Sequence, residues 1–148
     1  MTDSVPSAHD RRLEIQARAA SLGIDGAYIS RLVDAFYLRI RAHPMLGPIF
    51  DETIGDNWDR HLPRMKQFWE SVALNAGTYS GKPVPAHQKL TTVEPAHLKI
   101  WLALFRQTLE DTAASQEAVG YFMERAERIA ESLQLAMFGF PGLPVKRP

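Results

Sequence analysis

No cysteine occurs among the 148 residues, which removes disulfide staples, thiolate nucleophiles and zinc fingers while fitting any redox compartment. Charge of one sign is also missing. Lys+Arg and Asp+Glu both number 17, so no basic stripe suits a phosphate backbone and no nucleic-acid partner is expected. No run approaches the roughly 18 apolar residues of a membrane span, and the polar opening, residues 1–14, lacks the apolar stretch of a secretion signal. A soluble, cytoplasmic protein with no membrane partner is predicted. Sustained period-two alternation is absent, so no strand is expected. Without H-E-x-x-H, a zinc hydrolase has no ligand pattern to rest on.

Helical periodicity is what the chain does contain. Its 16.7 kDa are most simply one domain over 1–148, with flexible tails at 1–8 and 140–148. A weak amphipathic segment covers about 9–22. Asp25 is placed to cap a second helix whose stripe is Ile29, Leu32, Val33, Phe36, Tyr37 and Ile40, stopping before His43-Pro44. Residues 45–55, with Gly47, Pro48 and Gly55, read as a compact bend. Asp56 or Asn57 is positioned to cap a helix over about 58–73, with Pro63 in its first turns. Residues 78–94 form a long proline-bearing loop with room for one helical turn near His87. Pro95 starts the next helix, which runs to about Thr112, and Ser115 caps the last, whose stripe is Val119, Phe122, Ala126, Ile129, Ala130, Leu133 and Met137. The prediction is all-α, without internal repeats.

Four residues break the apolar pattern with useful chemistry. Tyr37 points inward on its stripe; His61 opens the stripe Met65, Phe68, Trp69, Val72; and Trp101 sits among Leu98, Leu102, Phe105 and Leu109. His87 follows two prolines that stiffen the loop. Three polar tips converging on one interior, together with a histidine in the stiffened loop, suggest a haem pocket. Each alone has an ordinary explanation, as a core aromatic with a satisfied tip or a solvated loop histidine. His9, His43 and His97 fall outside the pattern and read as surface residues.

Taken in order, FYLRIRAHPMLGPIF, WDRHLPRMKQFW, YSGKPVPAH and IWLALF resemble the successive signatures of the truncated haemoglobins, in particular their third group. The resemblance spans about Leu32 to Leu133. It is strongest in LGPIF, in the H-to-FW spacing and in the histidine after Y-x-G-x-P. The absence of any Gly-Gly pair departs from the first two groups and is similar to the third.

The resemblance implies a globin-like helical sandwich around b-type haem, with His87 as the iron's protein ligand and the opposite position open to a small molecule. Tyr37, His61 and Trp101 would then be distal donors to a diatomic ligand such as O2 or NO. His61 remains open between donor, gate and sixth ligand. Phe50, Met65, Phe68, Trp69, Leu90, Leu98 and Leu102 would bury the porphyrin, and Arg64 would pair a propionate, although the default for such an arginine is a solvated face. No C-x-x-C-H is present, so attachment would be noncovalent. Activities in keeping with this pocket are ligand binding with nitric-oxide dioxygenation, fed by a reductase partner, and peroxidase-like reduction. A haem-free helical interaction domain is the third alternative.

Overall fold

The structure, a computed structural model, describes residues 7–75 and 93–139. Ser7 closes the first helix, α1 (Ala8–Ser21), by a reciprocal box. Its hydroxyl accepts from the Asp10 backbone N–H at 3.1 Å, and the Asp10 carboxylate accepts from the Ser7 N–H at 3.2 Å. Only Ala19 of this helix is buried, and α1 lies against the helix over Trp58–Leu74, held partly by the Gln16 amide donating to the Leu74 carbonyl at 3.0 Å.

Helix α2 (Gly26–Ala42) begins where the Asp25 carboxylate accepts from the Tyr28 N–H at 2.8 Å, as its sequence predicts. All six residues of its predicted stripe are buried, and α2 packs on the helices over Leu46–Ile54, Trp58–Leu74 and Pro95–Thr112. It is the central helix of the described fold.

Residues 45–55 depart from expectation. Instead of a bend they contain a helix, α3 (Leu46–Ile54). Pro48 is its third residue, where a missing N–H breaks no intrahelical bond, so the residues that read as turn-forming are compatible with a first helical turn. Gly47 is needed for another reason: a Cβ there would lie 2.5 Å from the Arg41 carbonyl oxygen. The glycine lets α3 cross the end of α2 at backbone contact. His43, expected as a plain surface residue, accepts from the N–H groups of Met45 and Leu46 through Nδ1, at 3.1 and 3.3 Å.

Helix α4 (Trp58–Leu74) carries Pro63 within it and ends at Asn75, whose φ of 50° is the left-handed conformation that asparagine tolerates. Asn57 is its N-cap but makes no side-chain capping bond, contrary to the sequence expectation. Its C-terminal turn is instead fixed from the side, where the Tyr121 hydroxyl donates to the buried Ala73 carbonyl at 2.6 Å. Helix α5 (Pro95–Thr112) starts at the predicted proline, with His97 Nδ1 accepting from the Glu94 N–H at 2.9 Å, a capping role its sequence did not suggest. Helix α6 (Gln116–Phe138) is capped by Ser115, which accepts from the Ala118 N–H at 3.2 Å, and terminates at Gly139 with φ 75°.

The main core joins α2, α4, α5 and α6 through Phe36, Trp69, Phe105 and Phe122, while a smaller cluster gathers Val93, Leu133 and Met137 with Ile49 and Leu98 around it. The described residues contain six helices and no strand, and none of these helices is long and apolar enough to cross a membrane.

Candidate functional site

Successive residues of an α-helix are turned about 100° from one another, so α4 divides into sectors. Trp58, Leu62, Trp69 and Ala73 fall together, and three of them are buried against the core. His61, Met65, Phe68 and Val72 form the adjacent flank, and all four are only half-buried. Among the described residues, the helix thus has an apolar side wider than the described helices around it cover.

At the upper end of that flank stands an aromatic cluster. The Tyr37 and His61 rings are 5.4 Å apart at 85°, Tyr37 and Trp58 are 5.7 Å apart at 69°, and Trp58 and His61 are 5.6 Å apart at 89°. Three rings from α2 and α4 therefore meet edge-on, an arrangement favoured by the positive edges and negative faces of aromatic systems. Phe50 of α3 adds a fourth, 6.0 Å from Tyr37. The positions follow from the sequence: Phe50 is delivered by the close α2–α3 crossing at Gly47, and His61 lies one turn beyond Trp58 on the same side of α4.

Trp101 joins this cluster through Phe36. It is 5.6 Å from Phe36 and stacks on Phe105 at 5.7 Å with the planes 5° apart, while Phe36 is 5.5 Å from Tyr37. Of the predicted site residues, Tyr37, His61 and Phe50 come together directly, and Trp101 is linked to them through one intervening ring. Met65 and Phe68 continue the half-covered flank. Trp69 belongs to the core, nearly parallel to Phe105 at 4.8 Å. Leu98 and Leu102 border a groove of about 230 Å³ between α5 and α6, with Ala130 and Glu131 on its far side. Arg64 is exposed on α4, one step around from the flank. His87 and Leu90 lie outside the described residues.

A residue that the motif reading passed over is Trp58. It is 8% exposed, and its Nε1 is buried with no hydrogen-bond partner among the described residues. The guanidinium of Arg41 sits 4.4 Å from the centre of its ring, and Arg41 Nε is 3.4 Å from the Asp51 carboxylate. The available signal was positional, an indole three residues before His61.

These features suit a flat apolar group with a polar centre. The flank of α4 offers Met65, Phe68 and Val72 to such a group, and Tyr37 and His61 bring O–H and N–H chemistry to its border. No cluster of three or more histidine, aspartate or glutamate residues able to hold a bare metal ion occurs among the described residues.

No family model matches the chain. It is 31% identical over 117 residues to the group 3 truncated hemoglobin ctb of Campylobacter jejuni, an alignment covering 77% of this chain and 91% of that protein. The crystal structure of the group III truncated hemoglobin from Campylobacter jejuni superposes with a TM-score of 0.75 at 30% identity, covering 81% of this chain and 96% of that one.

Proposed function

Because the chain belongs to the group III truncated haemoglobins, a haem globin family, we propose that it holds haem b noncovalently through His87 and retains O2, NO or a similar diatomic ligand beside Tyr37, His61 and Trp101. The observation that supports this best is the edge-on pairing of Tyr37 and His61 at the end of the half-covered α4 flank. When bound, the haem supplies an open coordination position.

The chain's own residues do the rest. In this reading Met65, Phe68, Leu90, Leu98 and Leu102 exclude water from the porphyrin faces, with Phe50 at the pocket edge, Trp69 backing the wall from the core, and Arg64 pairing a propionate. The Tyr37 hydroxyl, the His61 ring nitrogen and the Trp101 indole N–H are donors for a polarised ligand, each contributing about 0.5–1.5 kcal/mol net and more where the acceptor carries charge. Two such bonds slow ligand escape by an order of magnitude or more. Retention of that kind favours chemistry on the ligand over simple carriage.

The reaction proposed is nitric-oxide dioxygenation. One NO, one O2 and one electron give one nitrate, so a one-electron reductase partner is required for each turnover. Haem reconstitution tests the foundation: the wild-type chain should develop an intense Soret band, and His87→Ala should abolish stable capture. An unaltered spectrum and affinity in that variant would remove His87 from the iron. Rapid nitrate release on mixing the oxygen-loaded protein with NO is the expected outcome for the reaction, whereas sustained peroxide turnover with an electron donor would replace it with the peroxidase alternative.

A further inference from the structure

The Trp58 indole touches both Tyr37 and His61 edge-on while Arg41 covers it at 4.4 Å. Arg41 comes from the last turn of α2, Asp51 from α3 and Trp58 from the first turn of α4, so three chain segments meet at one indole. A cation over an indole face is attractive because the face carries negative charge density, and partial exclusion of water strengthens the contact. Trp58 is almost fully buried, so the ring has little freedom to tilt.

We propose that Trp58 is a positioning residue: clamped from outside by the Arg41–Asp51 pair, its indole fixes the orientation of the Tyr37 phenol relative to the His61 imidazole. A histidine at a helix start has two side-chain torsions to settle, and a tyrosine hydroxyl swings with its ring. Edge-on contacts to one shared indole restrict both at once. The pair then meets a ligand in one arrangement instead of several.

The role in ligand retention rests on the functional reading above, whereas the orientation itself does not require haem. Two measurements separate them. In the haem-free protein, nuclear Overhauser contacts between Tyr37 and His61 ring protons should be strong in the wild type, lost in Trp58→Leu, weakened in Arg41→Gln and restored in Trp58→Phe, which returns an aromatic ring without the N–H. In the carbon monoxide-loaded protein, the single narrow C–O stretching band expected of the wild type should broaden or split in Trp58→Leu. Ligand dissociation should accelerate about tenfold, the scale of one or two aromatic contacts.

Persistence of the Tyr37–His61 contacts in folded Trp58→Leu and Arg41→Gln would overturn the proposal. Should Trp58→Leu fail to fold, Arg41→Gln and Trp58→Phe decide: unchanged contacts in Arg41→Gln remove the clamp, and lost contacts in Trp58→Phe show that the ring alone does not orient the pair. A wild type that captures no haem, yet loses those contacts on Trp58→Leu, would refute the functional reading and leave the positioning role standing.

Discussion

The indole of Trp101 and the ring of Phe105 lie 5° from parallel, one helical turn apart on α5, and Phe105 in turn stacks on Trp69 of α4. Phe105 thus ties Trp101 into the core. Phe105 is fully buried, so Phe105→Ala should cost about 3–5 kcal/mol of stability. Chemical denaturation of the haem-free protein checks it; a loss below about 1 kcal/mol would mean that the neighbouring rings close over the gap.

Tyr37→Phe removes one hydroxyl and keeps the ring that packs on Phe36, Phe50, Trp58 and His61. Stability should move little, while oxygen release from the haem-loaded protein accelerates by about threefold to tenfold, the equivalent of one hydrogen bond. Stopped-flow displacement of O2 by carbon monoxide reads the rate. An unchanged rate would take the phenol out of the ligand's reach.

Two glycines should respond in opposite directions. At Gly47 a methyl group meets the Arg41 carbonyl at 2.5 Å, so Gly47→Ala must push α3 off α2 and should destabilise by about 1–3 kcal/mol. At Gly120, inside α6, a Cβ meets nothing within 4 Å, and Gly120→Ala should stabilise by about 1 kcal/mol through helix propensity. Thermal melts of the pair provide the comparison, and similar shifts would show that the α2–α3 crossing is soft.

Tyr28 gives the fold a pH limit on the alkaline side. Burial pushes its phenol above the ordinary value of 10.0, outweighing the hydrogen bond with Thr112 at 2.9 Å and the charge of Arg31. The folded chain therefore holds that proton more tightly than the unfolded chain. Its stabilising effect is complete below the ordinary value and disappears as pH rises through the raised one. Urea unfolding between pH 9 and about 11.5 should show a steeper alkaline loss in the wild type than in Tyr28→Phe. Equal slopes would place the effect on other groups.

The helices were largely legible because burial leaves a periodic trace: every residue of the α2 stripe is buried, and Asp25, Pro95 and Ser115 stand where helices begin. Helix α3 was hidden because glycine and proline have more than one use. Gly47 serves a backbone crossing and Pro48 a first turn, and neither reason is visible until α2 is in place. The candidate site divides the same way. Tyr37 and His61 could be singled out because polar tips interrupt apolar stripes, and their rings do come together. Trp58 did not stand out because its cation comes from another helix, and no spacing within α4 encodes Arg41. His43 and His97 were missed as caps for a related reason, since histidine is not among the residues that ordinarily cap a helix.

Phe36 and Tyr37 are neighbours on one helix, yet one leans toward Trp101 and Phe105 and the other toward Trp58, His61 and Phe50. A rotation of α2 that adjusts either residue necessarily displaces the other. Substitutions on the two sides should therefore fail to add. Epistasis is thus built into the backbone between two consecutive positions.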